Sequence, residues 1–430
     1  MQAIPMKRLQ AADQILGIAL CALLQPVRWL RALRRTPTPA AHDILLIKFW
    51  GIGSLQLLTP AVAALRRRHP EARLTLLTLE ANAEFGRGLG AFDDVITLDV
   101  RSGRGPLGWL RIHARILALV AQLRRQRFDR VYDFEFFTRF SALVSLATGA
   151  RETSGFASPH VNRGGFHSRT VPFNRYWHVA RNFRALAGGE NGREVDPDEL
   201  LPFTARDEER ASLRRKLSAA GLPTGSAYVV LNPNAGELSL ERRWPATSFA
   251  ELARTLANDD GVPVVLVGSP AEAEYVHSIA ARTGDVARGH VLDLAGRLSI
   301  GELCAALADA HTVVTNDSGP MHIAAALGTP TIGLFGPETP VMYGPLGERA
   351  SALWRPPVCS PCINVHENKV LNCVRGFPEC LVNLSVQVVL EETRAWMLDA
   401  VLVPAARRGA RGGLHVLRGG VPAEREHSAP

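Results

Sequence analysis

One stretch in the second half of the chain combines residue types that suit phosphate binding. Residues 315–328 read TNDSGPMHIAAALG; they follow a predicted strand and begin a predicted helix. Asp317 and Ser318 are residues that cap helix N-termini. A turn with Gly319 ahead of a helix also binds phosphate through main-chain N–H groups, with His322 one turn further on. The pattern predicts either a plain helix cap or a phosphate-binding loop.

Two further polar segments follow earlier strands of the same half. Asn234 lies in the sequence NPNAG, and Arg242 and Arg243 lie in ERRWP a few residues later. A guanidinium can pair with a diphosphate through two parallel hydrogen bonds. Glu272 follows the next strand in GSPAE, a position that also suits an ordinary first-turn acid. Because the carboxyl ends of parallel strands share one edge, we expect these residues to converge there.

A group of four cysteines has spacing that suits a metal. The pattern is C-x2-C-x10-C-x6-C, formed by Cys359, Cys362, Cys373 and Cys380. Four thiolates at such spacing can hold a tetrahedral zinc ion, here as a structural staple and not as the catalytic centre. The alternative is a set of reduced cysteines in a long loop, since disulfides are disfavoured in the cytoplasm.

The elements that must position these residues alternate between strand and helix. Short apolar runs and helical spacing alternate from DILLIK onward and restart at AYVVLN. We expect an α/β protein with two doubly wound Rossmann-like domains that face a central cleft. The predicted divisions are an N-terminal segment 1–42, domains 43–205 and 206–402, the second with the cysteine loop 359–380, and a disordered tail 403–430.

The formal charge of +8 on 430 residues is carried by the two ends of the chain. Residues 1–40 hold six basic groups and one acid, residues 401–430 hold five and two, and the body between them is neutral. A neutral body argues against a nucleic-acid groove. The composition, 47% hydrophobic and 21% charged, excludes a mainly disordered chain.

The apolar run ILGIALCALL at residues 15–24 is flanked by basic residues. Ten residues are too few to span a bilayer. The run suits either a helix in the interface of an anionic membrane or a helix packed on the protein's own surface. The first alternative predicts a cytoplasmic protein held peripherally at the inner membrane.

The motifs as a set resemble a known family. NPNAG with RRWP, VGSPAEAE, NDSGPMHIAAALGTPTIGLFGP and LLIKFWGIGSLQLLTPAVAALRRRHP are similar to the family-9 glycosyltransferases, the ADP-heptose:lipopolysaccharide heptosyltransferases, over residues 43–395. The resemblance implies a GT-B fold with an acceptor-binding first domain and a nucleotide-sugar-binding second domain. It also implies inverting transfer of a heptose or a related sugar from a nucleotide-diphosphate donor, expected to be ADP-heptose, to a lipopolysaccharide-core or other glycan or lipid-linked acceptor. No metal or other cofactor is expected to be required.

The resemblance also carries residue roles. It implies that Asp317, Ser318, Gly319 and His322 form the loop for the donor diphosphate. It places Arg242 or Arg243 at a basic phosphate contact and Asn234 in the same donor site. Glu272 is a looser match to a ribose-binding acid.

The first loop departs from the family pattern at a catalytic position. The best-known members have an Asp after the glycine, thought to be the general base, whereas this acceptor-side loop reads Gly51-Ile52-Gly53-Ser54. Ser54 is not a base at neutral pH. An inverting transfer needs a group that takes the proton of the acceptor hydroxyl. Another residue must therefore serve, or the chain is not catalytic in the same way.

Two acids at the end of the fourth strand are the nearest candidate bases. Asp133 and Glu135 lie in YDFEFF, with a slight preference for Glu135. Either acid also suits a cap of the following helix. His160 and His178 are weaker candidates.

A local basic run in the first half suits an anionic acceptor or a solvated loop. It lies between residues 151 and 185 and contains Arg151, His160, Arg163, His167, Arg169, Arg175, His178 and Arg181. Two other functions share this architecture: a sugar-nucleotide epimerase, and a non-catalytic protein that binds sugar nucleotides. An epimerase needs acid and base groups aimed at the donor sugar, and the sequence offers no dedicated set.

Overall fold

A computed structural model describes residues 6–27, 41–101, 106–157, 163–188, 195–196, 199–236, 239–286, 290–363, 373–402 and 415–417. The chain divides into two compact units. Unit 1 ends at Leu201 and unit 2 begins at Pro202. The boundary expected from the sequence lies four residues later.

Unit 1 is a six-stranded parallel sheet with helices on both faces. Its strands are β1 Asp43–Ile47, β2 Arg73–Leu79, β3 Asp94–Leu98, β4 Arg130–Asp133, β5 Glu152–Ala157 and β6 Arg169–Pro172. Its helices are α1 Met6–Leu23, α2 Ile52–Arg68, α3 Ala83–Gly88, α4 Pro106–Gln126, α5 Arg139–Thr148 and α6 Val179–Leu186.

The strand order in unit 1 is β3-β2-β1-β4-β5-β6. The order reverses between β1 and β4, so the carboxyl ends of these two strands form the switch point where such sheets bind ligands. β1 is apolar on both faces because both are covered. Leu45 and Ile47 pack in the cluster with α4 and α5, whereas Ile44 and Leu46, equally buried, point to the opposite face.

Helix α1 is docked on α5 by its inner side. The Asp13 carboxylate accepts hydrogen bonds from the main-chain N–H groups of Arg139 (2.9 Å) and Phe140 (2.8 Å) and so caps α5. Gly17 allows close approach, since a Cβ there would lie 3.0 Å from side-chain carbons of Arg139. Cys21 is buried with Phe166. The helix is therefore part of unit 1, as one of the two alternatives predicted.

Unit 2 is a seven-stranded parallel sheet. Its strands are β7 Val229–Asn232, β8 Val264–Leu266, β9 Val291–Asp293, β10 Thr312–Asn316, β11 Thr331–Phe335, β12 Ala350–Trp354 and β13 His415–Leu417. Its helices are α7 Asp207–Ala219, α8 Ala246–Asn258, α9 Ala273–Arg282, α10 Ile300–Ala308, α11 Gly319–Ala326, α12 Pro340–Tyr343, α13 Glu379–Val382 and α14 Val386–Leu402.

The strand order in unit 2 is β9-β8-β7-β10-β11-β12-β13. The switch point lies between β7 and β10, the two strands that precede the polar loops singled out from the sequence. β13 corrects one prediction, because residues 415–417 of the supposedly disordered tail pair with β12. The apolar Val416 and Leu417 and the edge position of β12 explain that pairing.

Candidate functional site

The loops after β7 and β10 are joined by one asparagine. The side-chain N–H groups of Asn232 donate to Thr315 Oγ1 and Ser318 Oγ, both at 2.9 Å. Asn232 is the last residue of β7, and Thr315 lies beside it in register at the end of β10. The predicted convergence of these two loops at one sheet edge is therefore present.

Asn234 continues this network toward the next strand. Its Nδ2 donates to Asn232 Oδ1 (3.0 Å) and to the carbonyl of Val267 (2.9 Å). Gly268 leaves the room for this amide, since a Cβ there would lie 2.8 Å from Asn234 Nδ2. The Oδ1 atom of Asn234 is buried and accepts no hydrogen bond from the described residues. It is an acceptor available to a ligand group at the switch point.

Arg242 ties the two loops together from the other side. Its Nη1 donates to the carbonyl oxygen (2.9 Å) and the carboxylate Oδ2 (3.2 Å) of Asp317, and its Nη2 donates to the carbonyl of Ala235. Arg243 instead stacks over the ring of Tyr275 at 4.1 Å, and its buried Nε has no hydrogen-bond partner among the described residues. Arg242 thus shapes the loop, and Arg243 adds a second positive charge beside it.

The N-terminus of α11 has no side-chain cap. The sequence allowed Asp317 or Ser318 to cap it, and the structure contradicts that prediction. Ser318 Oγ is turned toward Asn232 and Thr315, and Asp317 is held by Arg242. The N-terminal N–H groups therefore face the loop without a competing side-chain acceptor, which favours an anionic ligand there. Gly319 is the first residue of this helix, half-buried.

The two other predicted donor residues, His322 and Glu272, differ in their surroundings. His322 is buried in α11. Glu272 closes a capping box, because its Oε2 accepts from the N–H (3.0 Å) and Oγ (2.7 Å) of Ser269. This is the ordinary first-turn role that the sequence left open. A contact of Glu272 with the donor ribose stays a prediction.

Trp244 anchors the arginine-bearing segment. Its ring is fully buried, its indole N–H donates to the carbonyl of Leu384 at 2.8 Å, and its main-chain N–H donates to Asn316 Oδ1 at 3.0 Å. A fixed Trp244 holds Arg242 and Arg243 beside the end of β10. In the sequence ERRWP, the buried tryptophan therefore fixes the position of the two arginines that precede it.

At the corresponding edge of unit 1, the loop after β1 opens α2. Gly51 has a φ of +76° and is the N-cap residue, without a side-chain cap. The positive φ requires glycine at this position. Gly53 is buried and Ser54 is half-buried in the first turn of α2.

Glu135 is a fully buried anchor of that loop. Its Oε1 accepts from Lys48 Nζ (2.9 Å) and from the main-chain N–H groups of Phe49 (2.7 Å) and Trp50 (3.2 Å). Its Oε2 is buried and has no partner among the described residues. One carboxylate oxygen is thus committed to loop geometry, and the other is uncommitted.

Asp133 has no uncommitted oxygen. Its Oδ2 accepts from Arg163 Nη2 and from His167 Nε2 (3.2 Å), and its Oδ1 accepts from the N–H of Glu135 (3.1 Å). Burial opposes ionisation, but the Arg163 charge and the His167 hydrogen bond hold the pKa of Asp133 below its ordinary value. Burial lowers the pKa of His167. The cluster is therefore an aspartate ion-paired with arginine beside a neutral histidine.

This cluster corrects the interpretation of the basic run. Arg163 and His167 are buried against Asp133 and do not face an acceptor. His178 Nδ1 accepts from the N–H of Ala180 and caps α6. Arg181 stacks over Trp177 at 4.0 Å. His160 lies outside the described residues.

Lys48 is the functional candidate that sequence reasoning missed. It is 1% exposed, lies 5.7 Å from the ring centroids of Phe136 and Phe183, and pairs with Glu135. The sequence signal that could have identified it is a lysine directly after an apolar buried strand, a position at the carboxyl edge of the sheet. A buried lysine at that edge calls for a carboxylate partner.

The four cysteines are close enough to influence one another. Burial and the neighbouring thiols of Cys359 and Cys373 raise the pKa of Cys362, and burial and Cys362 raise the pKa of Cys380 to about 12. All are free thiols. In the described part of the chain, no group of three or more ligating side chains is arranged to hold a metal. Structural zinc stays a prediction, which metal analysis of the purified protein tests.

Comparisons with known proteins agree with these motifs. The model of glycosyltransferase family 9 (heptosyltransferase) matches residues 116–373. Lipopolysaccharide heptosyltransferase 2 of Escherichia coli K12 is 33% identical over 359 residues, which cover 83% of this chain and 99% of the relative. Lipopolysaccharide heptosyltransferase 1 of Pseudomonas aeruginosa is 26% identical, with 83% and 98% covered.

Solved structures show the same fold. The E. coli ADP-heptose lipopolysaccharide heptosyltransferase II superposes with a TM-score of 0.64 at 23% identity, over 83% of this chain and 99% of that one. A family-9 glycosyltransferase from Veillonella parvula gives 0.66 at 20% identity, over 84% and 99%. The predicted GT-B class, with two Rossmann-like domains, is thereby confirmed.

Proposed function

The chain belongs to glycosyltransferase family 9, and from that premise we propose that it transfers a heptose from ADP-heptose to a lipopolysaccharide-core acceptor. Its relatives named above carry lipopolysaccharide heptosyltransferase in their names. A solved E. coli heptosyltransferase with bound ADP has a TM-score of 0.58 to this chain, at 22% identity and over 82% of this chain and 99% of that one. The proposal extends that activity to this chain.

The observation that carries the proposal is the uncapped N-terminus of α11 at the switch point of unit 2. Its main-chain N–H groups and the two arginines would bind the diphosphate of the donor. Negative charge grows on that diphosphate as the sugar leaves, so prearranged donors there stabilise the transition state more than the ground state. Arg242 keeps Asp317 in place, and Arg243 supplies charge.

The proposed general base is Glu135. The proposed transfer uses no metal. Asp133 is a poorer base because its pKa is lowered and both its oxygens are engaged. Glu135 Oε2 is the acid oxygen without a partner among the described residues, at the sheet edge that carries Ser54. In this scheme Ser54 only orients the acceptor hydroxyl whose proton Glu135 takes.

A transfer assay tests this function. Purified protein is mixed with ADP-heptose and heptose-free lipopolysaccharide core, in buffer with EDTA, and product is followed by mass spectrometry. We expect ADP release and a heptosylated core only when both substrates are present. ADP-heptose binding without turnover would support a non-catalytic homologue, and release of an epimerised sugar would support an epimerase.

A donor screen by thermal shift complements the assay. ADP-heptose is expected to raise the melting temperature more than GDP- or UDP-sugars do, because the solved E. coli heptosyltransferases are described with ADP-heptose or ADP. If no nucleotide sugar stabilises the protein, the proposed function is wrong. Arg254 is an exposed arginine on α8, and Arg254→Ala is a matched control for variants of Arg242 and Arg243.

We also propose that α1 holds the protein on the cytoplasmic face of the inner membrane. Ile15, Leu16, Ile18 and Leu23 on its outer side are 52–73% exposed. No described helix is long and apolar enough to cross a membrane. The variant Ile15→Ser/Ile18→Ser is expected to float less with anionic vesicles. It is a cleaner test than deletion, which would remove the Asp13 cap of α5; unchanged flotation would contradict the proposal.

A further inference from the structure

Helix α4 of unit 1 has one side that belongs to the core. Ile112, Leu119 and Leu123 are buried, and the last two pack in the cluster with β1 and β4. This side explains why the helix forms and where it lies. It leaves the opposite side of a helix of 21 residues to be explained.

The opposite side is an exposed apolar stripe. Leu107, Leu110 and Leu117 are 70%, 66% and 70% exposed. With the exposed Ala114 and Ala121 they recur every three or four residues, so all five lie on one face of the helix. Three leucines held in water along one face mark an interaction surface rather than scattered exposure.

The charge around this stripe has one sign. Residues 106–126 contain four arginines and no aspartate or glutamate. Arg111 and Arg125 are exposed beside the stripe, and Arg124 is exposed near its end. Arg115, the fourth arginine, is half-buried and pairs with Asp99 at 3.1 Å, so it does not belong to the exposed face. The outer face is therefore leucine-rich and basic.

We propose that this outer face of α4 binds the surface of an anionic phospholipid bilayer. The leucines would enter the boundary between headgroups and acyl chains, and the arginines would contact lipid phosphates. The surface is separate from α1 and uses no residue of the donor site. It does not rest on the transfer reaction, and it adds a second lipid contact to the one proposed for α1.

Charge argues against a second copy of the chain as the occupant. The three- and four-residue spacing also suits a helix–helix seam. Two copies paired through α4 would bring their arginine rows together without an acidic partner on the helix, and like charges across an interface are unfavourable. An anionic lipid surface supplies the missing negative charge.

The position of α1 favours a bilayer over a single partner helix. Both α1 and α4 pack against α5, so two helices with exposed apolar faces flank the same element. Residues 14–27 on α1 and just after it contain no charged side chain. One bilayer surface can cover exposed faces of several helices, whereas one docked helix covers a single seam.

Flotation of the full-length protein with vesicles tests the proposal. Vesicles are phosphatidylcholine alone or a mixture with phosphatidylglycerol. Leu110→Ser/Leu117→Ser is expected to bind the anionic vesicles about tenfold more weakly, since two exposed leucines lose their insertion. Leu398→Ser, which alters a 63% exposed leucine on α14 of unit 2, is the matched control and should bind as wild type does.

The arginines are tested separately from the leucines. Arg111→Gln/Arg125→Gln should lose about tenfold on anionic vesicles and nothing on neutral ones. Unchanged binding in both double variants overturns the proposal. So does a shift from dimer to monomer in light scattering with vesicle binding intact, which would make α4 a self-interface.

Parallel measurements keep this proposal apart from the others. The variant Ile15→Ser/Ile18→Ser is run in the same flotation series, and thermal shift with ADP is recorded for every variant. Loss of vesicle binding only in the α1 variant would refute the α4 surface and leave the α1 proposal standing. An ADP shift that is equal in all variants shows that the losses arise from lipid contact.

Discussion

At the switch point of unit 2, main-chain N–H groups, amides and two arginines surround a helix start that no side chain caps. At the switch point of unit 1, the same positions hold two buried acids, each closed by a basic partner. Both sheets share the strand order that creates the switch point. The difference is that the donor groups at the unit 2 edge are left for a ligand, whereas most polar groups at the unit 1 edge are satisfied within the protein, with Glu135 Oε2 left without a partner among the described residues.

Topology therefore places polar side chains at the edge, and burial decides what they do. Arg242 and Arg243 are only half-buried, whereas Lys48, Asp133 and Glu135 are buried. A sealed ion pair leaves no net charge for a ligand, and breaking it is expensive because one charge stays behind unpaired. The comparison makes predictions that differ between the two edges.

The largest effect is expected for turnover at the unit 1 edge. Glu135→Gln keeps the size of the side chain and an acceptor for the N–H groups of Phe49 and Trp50, but removes the base. The transfer rate should fall by about 10²–10⁴-fold, with affinity for ADP unchanged. Rates are measured with saturating ADP-heptose, at a temperature where circular dichroism shows the variant folded.

The control for that prediction is Lys48→Met. It breaks the same ion pair and leaves the carboxylate in place. If turnover in Lys48→Met falls as far as in Glu135→Gln, Glu135 acts by holding the loop and is not the base. Wild-type turnover in Glu135→Gln would also exclude it as the base.

The next largest effect concerns the stability of unit 1. Asp133→Ala leaves Arg163 buried and unpaired, which should reduce the free energy of unfolding by about 3–5 kcal/mol. Urea denaturation measures the change. Asp94→Ala removes the carboxylate of an exposed pair with Arg73 in the same unit and should cost only about 0–1 kcal/mol. Equal losses in the two variants would show that the Asp133 cluster is not a closed ion pair.

The sequence predicted the sheets and most of the donor edge. Apolar strands such as DILLI are local signals, and both sheets were predicted from such runs. β5 and β6 were missed, because ETSGFA and RTVP lack an apolar run of the usual length. A polar strand is recognisable only from the partner it pairs with.

The partners of the acids were beyond prediction for a related reason. Arg163 and His167 follow Asp133 by 30 and 34 residues. Their sequence context is that of a basic surface loop, and only the fold turns them inward. The same limit applies to Ser318, which the sequence allowed as a helix cap. Its hydroxyl instead accepts a hydrogen bond from Asn232, a residue 86 positions away that local sequence does not reveal.

A smaller effect is expected at the unit 2 edge. Arg242→Ala removes the donors that hold Asp317 and Ala235, and ADP affinity should fall by about 2 kcal/mol, or roughly thirtyfold. Calorimetric titration with ADP measures it, with Arg254→Ala as control. Arg243→Ala should also weaken ADP binding, because both arginines are proposed to bind the diphosphate. No loss in either would contradict the assignment of this edge to the donor.

The smallest effect is a pH dependence of unit 1 that comes from His167. Burial lowers the pKa of this histidine in the folded state. An unfolded histidine takes up a proton near pH 6.5. As the pH falls below that value, only the unfolded chain gains the proton, so stability decreases by up to about 1.4 kcal/mol per pH unit. Asp133, with its lowered pKa, loses its contribution only below about pH 4.

His167→Gln isolates this contribution, because His69 and His311, whose pKa values are also lowered, are present in both proteins. Urea midpoints at pH 7.5, 6.5 and 5.5 should converge for wild type and variant as the pH falls. Curves that stay parallel would mean that folded His167 accepts a proton beside Arg163. Asp133 would then balance two cations, and the unit 1 edge would carry the net positive charge that distinguishes the unit 2 edge.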